Sequence, residues 1–401
     1  MISFSSTEDL SAPANEALHS LGGGRPEGRA AATISAEFVT VSDYVELAET
    51  FEALSARSVA PNPFIHPQVV GSLAPTYPKD SILVIVVHRT TDDARNLVGA
   101  WVLRKLRDVW SAGLPILQAP FDARYHLTAE PVLDREHGAL AFEAMLSLIA
   151  SDRRLPKVIR AVCWPTDILL PASSSVTVLK TEGWTRAMMR PTSNTSFEDY
   201  LRASLGKNAR KRMTGKKALL RQCNVEEQSL RGFNIAEGLE TFMALESKGW
   251  KGKAHTALAC LPQDADRVRR VMATLAARDL AAVDLLLVDG KAIAAGLLVE
   301  SGRRTFFWKT TYDEDWRRHS PGVLLDMAVT RRLLDQSAGL ELDSGMMGFT
   351  DPDSQIWSER RNFSRALIIL NDAFTGQAIA RLEQLHQGLR EIRNRRRSRR
   401  R

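Results

Sequence analysis

A chain of 401 residues outgrows one compact core, so two domains are expected; 44% apolar and 25% charged residues describe an ordinary globular protein. The net charge of +7 is local, because residues 391–401 carry seven Arg and one Glu and leave the body near neutral. Cys163, Cys223 and Cys260 are odd in number and far apart, which excludes a disulfide framework and a zinc set and suits a reducing cytoplasm.

Residues 1–35 lack the basic start and apolar core of a signal peptide, and their Ser, Gly, Pro and Ala content predicts a disordered leader. No apolar run approaches membrane-spanning length. Next, SILVIVVH and LVGAWVLRKL read as hairpin strands across RTTDDARN, with LPILQAP as a third. HGALAFEAMLSLIASDRR is an amphipathic helix and KVIRAVCW the strand after it. SFEDYLRASLGKNARKRMTGKKALLRQ predicts a helix, with seven basic residues and no acid from Gly206 to Arg221.

The second half repeats the order more clearly. Residues 281–312 hold three apolar runs broken by Asp289-Gly290 and Ser301-Gly302, a three-stranded antiparallel meander. PGVLLDMAVTRRLLDQS has helical spacing, LELDSG is a short strand, a helix is expected near 353–361, and RALIILN is a strand. A strand, a helix and a returning strand predict a right-handed crossover that lies parallel to the strand at 303–311. The last helix carries Ile379, Leu382, Leu385, Leu389 and Ile392 on one stripe ahead of RNRRRSRRR, which suits nonspecific contact with nucleic acid or anionic membrane. The fold class is α+β, a duplicated unit of mixed, mainly antiparallel sheet with flanking helices. Its divisions fall at 1–35, 36–195, 196–372 and 373–401.

Ser320-Pro321-Gly322 opens a helix directly after the third meander strand. Ser320 is a good N-cap, Pro321 suits the first helical position, and Gly322 leaves the backbone open to a close-approaching group. Such a helix start attracts phosphate, and Arg317 and Arg318 add planar forks that read it; the same residues also describe a merely capped helix. The first half's connection, FDARYHLTAEPVLDREHG, has neither a Gly-rich turn nor a capped start, so no phosphate turn is expected there.

These stretches, with NPFIHPQVVGSL, FMALESKGWKGK, VDGKAIAAGLL, KTTYDEDWRRHSPGVLL and LDSGMMGFTDPDSQIW, resemble GNAT-superfamily acetyltransferases of cellulose or exopolysaccharide biosynthesis. The resemblance spans most of residues 40–370. It implies two tandem GNAT-like domains, similar in architecture to Fem-type transferases, with a degenerate first unit and a catalytic second one. Arg317 and Gly322 match the first and last positions of the GNAT phosphate loop, whereas Ser320 replaces its middle glycine and Pro321 removes an amide.

The implied activity is N- or O-acyl transfer from acetyl-CoA or another acyl-CoA to a sugar-linked or amine acceptor. Lys309, Arg317, Arg318, Ser320 and Gly322 are the cofactor candidates. Asp343 is the first choice for the base, with Glu246 and Tyr312 beside it, and Trp250, Lys251 and Trp357 are expected to hold the acceptor. His319, at the phosphate position, reads as a phosphate or surface group rather than a base. No metal constellation stands out. A Fem-type transferase using aminoacyl-tRNA and a noncatalytic GNAT-fold scaffold are the alternatives.

Overall fold

The computed structural model describes residues 32–168, 176–192, 195–207, 210–211, 223–336, 340–345, 356–371, 374 and 376–382. The run TISAEFV alternates exposed and half-buried positions, the period of a strand with one covered face, and forms β1 (Thr33–Val39). A leader reaching residue 35 is therefore corrected: Thr33–Ser35 are strand, and residues 1–31 lie outside the described set.

The first repeat continues through α1 (Val41–Val45), α2 (Ala48–Arg57), α3 (Pro67–Leu73), β2 (Ile82–Thr90), β3 (Arg95–Leu106), β4 (Ile116–Ala119) and β5 (Val132–Leu133). It ends with α4 (Gly138–Ser151), β6 (Val158–Pro165) and β7 (Val176–Met189). After α5 (Phe197–Ser204) the second repeat runs β8 (Val225–Leu230), α6 (Ile235–Lys248), α7 (Trp250–Lys253), α8 (Pro262–Ala276), β9 (Ala281–Val288) and β10 (Lys291–Ser301). It closes with β11 (Arg304–Tyr312), α9 (Pro321–Gln336), β12 (Glu341–Asp343) and β13 (Glu359–Leu370). Asp289, Gly290 and Gly302 take the positive φ that tight hairpins need, so the predicted meander forms where its turn residues put it.

All strands join one sheet in the order β1-β2-β3-β4-β6-β13-β7-β12-β11-β10-β9-β8, with β5 beside β3. This order reads the same from either end once β1 is matched with β8, β4 with β11, β6 with β12 and β7 with β13. The duplication is therefore real, and each repeat's last strand is inserted into the other repeat's half of the sheet. The parallel pairs also match: β4 with β6, and β11 with β12.

At the centre Arg186 on β7 lies directly opposite Arg361 on β13. Like charges so placed repel. The Phe363 ring lies under both guanidinium groups, at 4.1 and 5.4 Å. Asp343 stands 3.6 Å from Arg186, and Asp167, just past β6, stands 3.1 Å from Arg361. The carboxylates balance the pair with the same two-fold logic as the strands.

One apolar cluster takes Phe64 and Phe121 from the first repeat and Phe242, Val268 and Trp308 from the second, so the repeats share a core. A second cluster packs α4 on the first half of the sheet, and a third packs α5 and α9 on the second. The helix expected near 353–361 is corrected. Residues 359–361 begin β13, because pairing with β7 overrides their polar composition, and 353–355 lie outside the described residues. Of the basic run, 208–209 and 212–221 lie outside the described residues, as do 383–401 with the Arg-rich tail. No helix among the described residues is long and apolar enough to cross a membrane.

Candidate active site

β11 and β12 run parallel through Arg304–Phe306 against Glu341–Asp343, and there the pairing stops. Immediately beyond, β11 bulges: Leu298 pairs with Phe307 and Leu297 with Lys309, leaving Trp308 unmatched. A bulge re-aims the side chains that follow it. Trp308 turns into the shared core and donates its indole N–H to the Tyr125 carbonyl at 2.8 Å. Lys309 then sits with its amine 5.1 Å from the Tyr125 ring centre. Burial lowers the Lys309 pKa, aided by Lys251, while Glu246 and Asp264 oppose that shift.

After Tyr312 a 3₁₀ turn over Glu314–His319 is capped by the Asp313 carboxylate on the Asp315 amide. Ser320 follows at φ +51°, in the left-handed region. The residue that stands where the GNAT loop has glycine thus adopts the glycine conformation. Its carbonyl accepts the first helical bond, from the Leu324 amide at 3.1 Å. Pro321 has no N–H, so the Gly322 and Val323 amides are the donors of this first turn. Among the described residues, a Cβ built on Gly322 meets only Tyr312 Cδ1, at 3.8 Å, which leaves the backbone open to them. Arg317 and Arg318 are exposed, and Arg318 donates Nε to His319 Nε2 at 3.1 Å. These residues suit a pyrophosphate: open amides, a helix start and two exposed arginine forks.

Three expectations are corrected. Asp343 is wholly buried; its Oδ1 accepts the Gly345 amide at 2.9 Å and its Oδ2 faces Arg186. A base must reach the acceptor's proton, so Asp343 holds the sheet together instead. Trp357 is 1% exposed, packs on Phe307 and donates to Thr330 Oγ1 at 2.9 Å, which makes it core. Glu246 is 3% exposed, and its oxygens take Lys251 Nζ at 2.9 Å and the Leu258 amide at 2.8 Å. It clamps α6 to the turns that follow.

Lys309 and Tyr312 exchange the places expected of them. Lys309 lies on the face with Tyr125, Glu246 and Lys251, away from the helix start, whereas Tyr312 lies beside Gly322 and is 40% exposed. Lys251 also donates to the Thr310 carbonyl at 3.3 Å, and Trp250 is 61% exposed at the same end of α6. His319 is buried against Trp316 rather than at the surface.

The sequence does not reveal Tyr125 and Asp264, which come from different repeats and meet through a hydrogen bond; burial first, then Asp264, raises the Tyr125 pKa. Arg124 bridges to Asp264 at 2.7 Å. Asp326 is also missed. It shares a stripe of α9 with Gly322 and Thr330, and burial pushes its carboxyl from 3.8 up to about 7.

A family model described as an acetyltransferase (GNAT) domain matches residues 207–348. Among solved structures, FemX superposes with a TM-score of 0.54 at 12% identity, covering 84% of this chain and 98% of that one. The C-terminal domain of a candidate lysylphosphatidylglycerol synthetase from Agrobacterium fabrum superposes with a TM-score of 0.50 at 12% identity, covering 85% and 95%. No curated protein matches the chain. The chain has a GNAT-like fold, built twice.

Proposed function

We propose that the protein is an acyl-CoA-dependent N- or O-acyltransferase whose second repeat holds the cofactor and whose acceptor enters between the repeats. One conjunction on β11 carries this reading: the strand parts from β12 after Phe306, bulges at Trp308 and leads to an open helix start at Gly322. When bound, acyl-CoA supplies a thioester as the acyl source. Gly322, Val323, Arg317 and Arg318 would hold its pyrophosphate. The β11 edge beyond Phe306, unpaired with β12, presents backbone donors toward developing negative charge.

Lys309, whose amine lies beside the Tyr125 ring on the same side of β11 as Lys251, would take the acceptor's proton. Lys251, fixed by Glu246, and exposed Trp250 border the acceptor's side of β11. A sugar-linked or amine acceptor in cytoplasmic steps of surface-polysaccharide synthesis is the acceptor class that the sequence resemblance supports. The FemX likeness, one of fold, favours an aminoacyl-tRNA donor as the second reading.

Calorimetric titration of acetyl-CoA into the parent, Gly322→Val and Arg317→Ala tests the reading. Losing the Arg317 contact costs about 1–3 kcal/mol, or about tenfold to a hundredfold in affinity. Gly322→Val places its side chain in the open approach and abolishes binding without moving the ligand-free melting temperature. Equal affinity in all three overturns the assignment. Stabilisation by charged tRNA but not by acyl-CoA in thermal shifts assigns the Fem-type reaction.

A further inference from the structure

Each repeat holds a cavity at the same place in its fold, and the two differ in charge. In the second repeat a 540 Å³ pocket lies between the end of α6, the β9–β10 turn and the run into α9. Its charged lining is balanced: Lys248 and Lys291 against Asp289 and Asp313. The counterpart in the first repeat, 430 Å³, lies between the end of α2, β2, the start of β3 and residues 134–137. It is lined by Arg57, Arg89 and Arg135, with Asp134, Glu136 and His137.

The acids neutralise Arg57 but not Arg89 or Arg135. Asp134 Oδ2 takes Arg57 Nε at 2.5 Å, and Oδ1 accepts the Glu136 and His137 amides at 2.9 and 3.1 Å. Arg57 also donates Nη2 to the Leu97 carbonyl at 2.5 Å, so its fork is fixed from two sides. Glu136 is 83% exposed and stands 3.9 Å from His137. Arg89, half-buried on β2, and exposed Arg135 have no acidic partner among the described residues. The surplus is not dictated by the fold, because the equivalent cavity lacks it.

We propose that this first-repeat cavity binds a small molecule bearing a phosphate or pyrophosphate, held by Arg57, Arg89 and Arg135. Planar guanidinium forks match phosphate oxygens two at a time, and a concave wall with a surplus of positive charge attracts the anion. The three arginines come from segments far apart in the chain, so the sequence, which shows no phosphate turn here, gives no sign of them. The site is independent of the helix start at Gly322, and its test keeps the two apart.

Inorganic pyrophosphate and ADP are titrated calorimetrically into the full chain carrying Arg317→Ala and Arg318→Ala. Binding persists there, and adding Arg89→Ala or Arg135→Ala weakens it about tenfold to a hundredfold, the loss of a charge-assisted contact. Tighter binding of ADP than of pyrophosphate assigns a nucleotide, and the reverse order a free phosphate compound. Arg135 is exposed, so its loss leaves the ligand-free melting temperature unchanged and isolates the binding effect. No measurable binding in the Arg317→Ala, Arg318→Ala chain overturns the proposal. So does unchanged affinity in both further variants.

Discussion

Ser320 shows how far one residue can be read. Its place in the loop is visible in the sequence, but its left-handed backbone is not, because only the folded turn decides that a serine must take a glycine's conformation. Asp326 is the harder case. An aspartate in the helix PGVLLDMAV reads as ordinary, and only burial makes it unusual. Its folded pKa, about 7, lies above its ordinary 3.8, so the folded chain holds a proton that the unfolded chain releases between those values. The carboxyl therefore costs nothing below about pH 4, its cost grows as pH rises to 7, and the cost is constant above that. Asp326→Asn, neutral throughout, raises the melting temperature at pH 8 and leaves it unchanged at the acid end. Melting curves from pH 4 to 8 check this, and a gain that does not change with pH refutes the account of a half-buried, desolvated acid.

At the scale of elements, those with local signals were legible. The β9–β11 meander was marked by its turn dipeptides, and α4 and α9 by their spacing. What escaped depends on partners distant in sequence. β1 carries Ser and Glu on its exposed face and resembles the leader before it. The start of β13, with Arg360 and Arg361, is too polar to read as a strand until β7 pairs with it. The bulge at Trp308 exists only in the pairing with β10. Asp343 was misread for the same reason: its partner Arg186 lies on a strand of the other repeat. Asp343→Asn leaves Arg186 buried without a counter-charge and destabilises the fold by about 3–5 kcal/mol. Chemical denaturation measures it, and a variant as stable as the parent returns Asp343 to the candidate bases.

For the whole molecule, the repeat was legible but the exchange of its last strands was not, since nothing in a strand's own composition names its neighbours. The sheet runs on across the boundary expected at 195/196. β13 has β6 on one edge and β7 on the other, both from the first repeat, and β7 supplies the only partner of β12 besides β11 among the described residues. A fragment of residues 196–401 therefore loses both neighbours of a 12-residue strand and bares three unpaired edges, two on β13 and one on β12. It also uncovers the core surface of Phe242, Val268 and Trp308 against which Phe64 and Phe121 pack. Expressed alone, the fragment shows no cooperative melting transition and aggregates. Coexpressed with residues 32–195, it forms a soluble complex that binds acetyl-CoA, because the strands can still interleave. Size-exclusion chromatography and calorimetric melting of the three preparations decide the matter. A lone 196–401 fragment that melts cooperatively near the parent's temperature refutes the single-sheet dependence and makes the second repeat an independent domain.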